Sequence, residues 1–308
     1  MVASTLEKDQ IMPKNLHAAG KLITSDEAAA IISAKSGVIP NQGYGYGGHE
    51  NGATNALTAT MPGNVDTSKN ITNVLFYAAS NMTGYQTIIN WMVATANQAY
   101  ENSGVNLKLN VAGVIPITDP YPSTSEQNNL FSMLNAEMNN AAGSTSSPYA
   151  HINTDKANAK ADFAVMVHPF NLNQGACGIS YVNGGSGSAY SHYYTVAVVS
   201  YGTNNGYYCN DYVLPHELGH SMGMVHDSND GGTATSGHYK DGLGYGLQGV
   251  YGCIMSYYPQ VGLFSSPNLY WWYSATKSYP MGVAGVANVV NGLNVSAPQI
   301  IQFRNLKY

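Results

Sequence analysis

The sequence predicts an α/β fold with a mainly parallel sheet, and three observations lead to it. From Ile71 an apolar strand-like run, a stretch of helical period and a strictly alternating stretch follow one another, the pattern of a βαβ unit. Further apolar segments of strand length come after it. The chain is 308 residues long with 44% apolar residues, enough for one large core with a smaller N-terminal segment beside it.

Residues 1–70 read differently from the rest. SDEAAAIISAKSG carries one short helix signal, with Ser25 as cap, acids in the first turn and Gly37 as stop. VIPNQGYGYGGHENGATNALTATMPGN then has no period and reads as an extended segment or linker. NVLFYA (73–78) is the first strand of the regular part. YQTIINWMVATANQAYEN follows as a helix, with Ile88, Met92, Ala96 and Tyr100 on one face and Ile89 and Val93 beside them. In VNLKLNVAGVIPI, Val105, Leu107, Leu109 and Val111 alternate with polar residues, as in a half-buried strand. DFAVMV (162–167), GISYV (178–182) and YYTVAVVS (193–200) are further strands, and PQIIQFRNLKY is expected to be a closing helix.

Composition narrows the function. Charged residues make up 9% of the chain, against roughly 25% in ordinary soluble proteins. The net charge is −5 and Arg304 is the single arginine, which argues against a nucleic-acid partner. No apolar run approaches the length of a membrane span. The first fifteen residues lack the basic start and apolar core of a secretory signal, so export is expected only with the signal removed.

The chemistry is concentrated in PHELGHSMGMVHD, residues 215–227. An HExxHxxGxxH string should arise by chance at this composition with a probability of roughly 10⁻⁵. His216 and His220 are four apart, so on a helix both lie on one face and reach one ion. Glu217 sits beside the first ligand, close enough to touch a metal-bound water without binding the metal itself. Gly223 tolerates φ > 0 and can end the helix sharply, bringing back His226 as a third ligand. Three neutral imidazoles leave one tetrahedral position of a zinc ion open, the arrangement of a catalytic site. Zinc lowers the pKa of water there to about 7. The other six histidines (His17, His49, His151, His168, His192 and His238) are isolated in sequence and read as ordinary surface or core residues.

HELGHSMGMVHD resembles the zinc signature of the metzincin metallopeptidases, which also share a methionine-containing turn downstream. CIMSYYP supplies that turn, with Met255 expected to pack beneath the ligands. Asp227 after the third histidine, and the Cys-Ile-Met wording, are similar to the adamalysin (reprolysin) branch. ACGISYV, the cysteine at 209 and LFSSPN extend the resemblance to bacterial reprolysin-like peptidases over residues 71–308. The resemblance implies a zincin fold with an antiparallel edge strand, an active-site helix and a smaller irregular C-terminal subdomain. It divides the catalytic domain into an upper part, 71–223, and a lower part, 224–308.

The same resemblance implies that Gly178, Ile179 and Ser180 on the edge strand pair with extended substrate. Ser265 to Pro267 would wall the pocket for the residue after the scissile bond. Of the three pairings open to Cys177, Cys209 and Cys253, Cys177–Cys209 is expected, tying the edge strand to the segment entering the helix. Tyr257 departs from the adamalysin pattern: a tyrosine two residues after the methionine belongs to astacins and serralysins, where it can ligate zinc. Here it is expected either to assist the site or to pack in the turn. Calcium is not indicated, since the Gly/Asp-rich repeats of serralysins do not occur.

The expectation is therefore a secreted, monomeric zinc endopeptidase acting on protein or peptide substrates, with Glu217 as general base. Two rivals are a narrowly specific toxin-like peptidase and a non-catalytic zincin-fold surface or adhesion module. Residues 1–70 are expected to be a pro-segment. They contain no cysteine, so any latency would rest on Asp26, His49, Glu50 or Asp66.

Overall fold

In the computed structural model of the protein, the residues described are 5–7, 69–118, 128–145, 148–174, 176–204, 207–227, 237–247, 250–257, 260–274 and 277–306. The helix signal in SDEAAAIISAKSG and the donors Asp26, His49, Glu50 and Asp66 lie outside them.

The βαβ unit forms as its periods require. Strand β2 (Asn70–Ala79) leads into helix α1 (Tyr85–Ser103), which returns the chain to β3 (Leu107–Ile117), parallel to β2. Gly84 precedes α1 and Gly104 follows it, both left-handed at φ 71° and 74°. The Gly104 N–H donates to the Glu101 and Tyr100 carbonyls, which stops the helix. The buried stripe of α1 is Ile89, Met92, Val93, Ala96, Ala99 and Tyr100. It is rotated slightly from the face expected, and Ile88 is only half-buried.

Two helices that pack against the sheet follow, α2 (Asn128–Ala141) and α3 (Ile152–Ala159). Strand β4 (Phe163–Pro169) pairs parallel with β2. Strand β6 (Val196–Tyr201) pairs parallel with β4, and β5 (Gly178–Val182) lies antiparallel on its far side. Five strands thus run β5-β6-β4-β2-β3 with β5 alone reversed, and β1 (Thr5–Glu7) adds to the outer edge of β5. Strand β6 begins at Val196 rather than Tyr193, because His192–Tyr194 form a turn of 3-10 helix capped by the Ser191 hydroxyl.

Beyond the sheet come helix α4 (Val213–Ser221), irregular segments, a hairpin of Ser266–Ser274 and Lys277–Met281, and helix α5 (Val289–Ile300). The closing helix starts nine residues before the proline expected to open it. The Asn288 side chain caps it by accepting from the Asn291 N–H at 3.3 Å, and Pro298 lies within its last turn. One continuous hydrophobic core joins the sheet, α1, α4 and α5, so the upper and lower parts share an interior. Arg304 fastens the C-terminal end to the sheet. Its Nε donates to Asp162 Oδ1 at 3.0 Å, and its Nη2 reaches Asp162 Oδ2 and the Ile71 carbonyl. No helix of the described residues is long and apolar enough to cross a membrane.

Candidate active site

Helix α4 is buried along its entire length, although it carries two histidines and a glutamate. Polar groups are tolerated at such depth only when each is engaged. His216 and His220 point to one side, one turn apart. Met222 follows as the helix cap, and Gly223 reverses the chain at φ 88°, as its position in the motif predicts. A Cβ on Gly223 would also lie 2.6 Å from His238 Cβ and 2.9 Å from the Asn183 carbonyl oxygen. Conformation and space both demand glycine there. The reversal delivers His226.

The three Nε2 atoms converge: His216 to His220 is 3.1 Å, His216 to His226 is 3.1 Å, and His220 to His226 is 2.9 Å. All three rings are buried. His216 Nδ1 lies 2.6 Å from the Ile254 carbonyl oxygen and His220 Nδ1 lies 2.9 Å from that of Met224. A carbonyl oxygen only accepts, so each Nδ1 carries a proton, which leaves Nε2 as the atom each ring can offer to a metal. Lone pairs facing each other at this distance repel unless a cation sits among them. Ligands on a tetrahedral zinc ion stand ~3.3 Å apart, so the donor set fits that metal.

The backbone carbonyls that orient the rings are themselves held. Gln260, 3% exposed, donates from Nε2 to the same Ile254 carbonyl at 2.5 Å and accepts at Oε1 from Asn210 at 2.9 Å. The chain Asn210–Gln260–Ile254–His216 fixes the tautomer of the first histidine, the usual means of aiming a ligand. Gln260 carries no motif signal, and only the folded chain brings it to the site. Met255 is fully buried, and its Sδ lies 2.5 Å from where a Cβ on Gly219 would stand. Gly244 is equally constrained, since a Cβ there would collide with the Met255 carbonyl. Tyr257 is 5% exposed with its ring centroid 4.3 Å from that of His226, and Asp227 is 3% exposed.

The edge strand β5 passes directly over the helix at Glu217, which is 1% exposed. Ser180 is fully buried and its Oγ lies 2.6 Å from Ser221 Oγ, so its hydroxyl faces the helix. Ile179 is 4% exposed. The Ser265 side chain faces the interior. It is fully buried, with Oγ donating to the Leu243 carbonyl at 2.7 Å and accepting from the Val289 N–H at 3.0 Å. Its work is to join the lower part to α5, while Pro267 beyond it is half-buried. A disulfide joins Cys177 to Cys209, Cα to Cα 5.4 Å, and so ties the start of β5 to the segment entering α4. Cys253 is a buried thiol outside the disulfide, and its Sγ accepts from the Tyr245 N–H at 3.2 Å.

The family model described as metallo-peptidase family M12B, reprolysin-like, matches residues 65–267. The chain belongs to this family. In this reprolysin-like chain the match takes in β2, the disulfide, the histidine motif and Met255. The chain is similar to a peptidyl-Asp metalloendopeptidase of Pseudomonas aeruginosa, 27% identical over 257 residues, covering 76% of this chain and 40% of that protein. A peptidyl-Asp metalloendopeptidase of Stenotrophomonas maltophilia is 31% identical over 229 residues, covering 71% of this chain and 48% of its own. The chain therefore spans about half the length of these relatives or less. Among solved structures, a chain from a chaperone-substrate complex superposes with a TM-score of 0.57 at 17% identity, covering 77% of this chain and 36% of its own. That likeness shows the fold alone.

Proposed function

We propose that the protein is a secreted zinc endopeptidase in which His216, His220 and His226 hold the metal and Glu217 is the general base. The observation that carries this reading is the convergence of three buried histidine Nε2 atoms at the helix that also carries a buried carboxylate, Glu217. When bound, zinc supplies Lewis acidity for the scissile carbonyl and acidifies a water. Glu217 takes the proton of the attacking water on its carboxylate and passes it to the leaving amine. The backbone of Gly178–Ser180 aligns the substrate as an added strand. Tyr257 donates its phenolic proton to the oxygen on which charge develops.

Secretion is supported by the Cys177–Cys209 disulfide, which persists in oxidising compartments, and by the hazard of an unrestrained peptidase inside a cell. Residues 71–308 form the catalytic domain on this reading and residues 1–70 an N-terminal extension acting as a pro-segment. The protein is expected to work as a monomer. A toxin-like peptidase of narrow specificity is the second reading, and the relatives' name makes a peptide with a central aspartate the natural first substrate.

The test is metal analysis with casein and Asp-peptide assays on the protein and on Glu217→Ala. One zinc per chain is expected in both, with turnover lower by ~10²–10⁴-fold in the variant. Equal turnover in the two proteins would end the mechanism. Zinc with cleavage of the Asp-peptide but not of casein would favour the narrow reading.

A further inference from the structure

We propose that the chain's own residues Thr5–Glu7 act as an internal competitor for the substrate-binding edge of the sheet. The contact is part of the fold; its consequence for catalysis rests on the peptidase reading above. Strand β5 has two edges. One is taken by β6, with Gly178 opposite Val199, Ile179 opposite Val198 and Ser180 opposite Ala197. The other is taken by β1, with Thr5 opposite Val182, Leu6 opposite Tyr181 and Glu7 opposite Ser180. An extended peptide that aligns on β5 needs the outer backbone N–H and C=O groups of that same strand. Two chains cannot pair with one edge at once, so β1 and a substrate aligned on Gly178–Ser180 exclude one another at Ser180, and over Ser180–Val182 for a peptide that extends further along the strand.

The direction of β1 adds to this. It runs antiparallel, from Thr5 at Val182 towards Glu7 at Ser180, and thus advances along β5 in the direction of Gly178. Gly178 is the point where β5 meets Glu217. The segment therefore enters the edge as a peptide approaching the reacting groups would. The strand it lies on is rigidly held. Tyr181 donates its phenolic proton to Asn135 Oδ1 at 2.5 Å, Ser180 bonds Ser221 on α4, and Cys177 next to the strand is in the disulfide. An edge so fixed is a preformed template, and open edges are normally covered. Here the cover is a piece of the same chain, tethered and so present at high local concentration. This device needs neither a cysteine nor a carboxylate on the metal. It acts through backbone pairing alone, and it predicts that the block is competitive.

The experiment compares the full chain, a form lacking residues 1–7, and the full-length variants Leu6→Pro and Glu7→Pro. Adjacent residues of a strand turn their N–H groups to opposite sides, so one of the two prolines removes a donor facing β5. Amide hydrogen exchange at Ser180–Val182 reads occupancy without any turnover. Exchange there should be faster in the deleted form and in one proline variant than in the full chain. A capped synthetic peptide of residues 1–7 should slow it again in the deleted form. On a fluorogenic Asp-peptide the deleted form should show KM lower by about 10-fold with kcat unchanged, the signature of a tethered competitor. Unchanged exchange across all four proteins would overturn the proposal, as would faster exchange with an unaltered KM. If no form cleaves peptide, a fluorescent 1–7 peptide that binds the deleted form and the full chain equally overturns it. Preferential binding to the deleted form supports it, and the failure then belongs to the peptidase reading.

Discussion

Gly178 and Glu217 are in contact in a way that permits no side chain at position 178: a Cβ there would lie 2.5 Å from Glu217 Oε1, 2.7 Å from Cγ and 2.8 Å from Cδ. The edge strand and the proposed base are thus fitted to each other. Placing a methyl group at 178 moves the carboxylate, since a buried side chain end yields before backbone does. We expect Gly178→Ala to keep its zinc and melt within a few degrees of the parent, while kcat falls by ~10²-fold, because ångström-scale misplacement of a reacting group costs that much. Loss of metal together with activity would show that the substitution disturbs α4 rather than the base.

A second glycine is matched to the methionine of the turn. A Cβ on Gly219 would meet Met255 Sδ at 2.5 Å and Cε at 3.2 Å. Overpacking a filled core costs about 1–3 kcal/mol, and Gly219→Ala is expected to lower thermal stability by that amount and to weaken zinc retention through its neighbour His220. Because the two residues share one space, Met255→Ala should cost less in the Gly219→Ala background than alone. Additive losses in the double-mutant cycle would refute the coupling.

These two pairs show where reading along the chain stops. His216, His220 and Gly223 are legible because their spacing is a property of one helix and the turn that ends it, and Gly223 has the positive φ expected of it. The β2–α1–β3 unit is legible because its periods are local. Helix α3, with Ile152 and Lys156 as its buried residues, gives almost no amphipathic signal, and packing rather than propensity makes it helical. Helix α2 does carry one, with Leu130, Met133 and Leu134 buried at helical spacing, but its asparagines read as loop in the sequence. The closing helix is misplaced because Pro298 imitates a helix start while Asn288, an ordinary loop residue in sequence, is the cap. Gln260 and Ser221 act through partners 50 and 41 residues away, at Asn210 and Ser180, and no spacing rule reports such contacts.

Tyr257 packs at a tilt against the His226 ring, one of the three that face the proposed metal, with centroids 4.3 Å apart and planes at 51°. A phenol in that place can donate a proton to charge that develops only in the transition state. Tyr257→Phe keeps the ring and removes the hydroxyl, so kcat is expected to fall ~10-fold to 100-fold with little change in KM. An unchanged kcat would assign the residue to packing alone.

The last expectation concerns pH. Asp211 lies at the entrance to α4, and burial pushes its carboxyl up to about 7. Burial raises the pKa of the neighbouring Tyr201 and Tyr212 phenols, and the Asp211 carboxylate raises both further. An unfolded aspartate titrates near ~3.9, so the folded state holds the proton more tightly than the unfolded state does. Stability from this group is therefore fully present below pH ~4 and is lost as pH rises through about 7. Asparagine is neutral throughout and avoids that loss. Thermal melts of the zinc-loaded protein and Asp211→Asn should lie closer at pH 5 than at pH 8, with the variant higher by a few degrees at pH 8, at about 2–4 °C per kcal/mol for a domain of this size. Taking the difference between the two proteins at each pH removes the common effect of acid on the histidines. A gap that is constant with pH would mean that Asp211 does not titrate in this window, and a variant that melts lower at pH 8 would mean that its charge is stabilising.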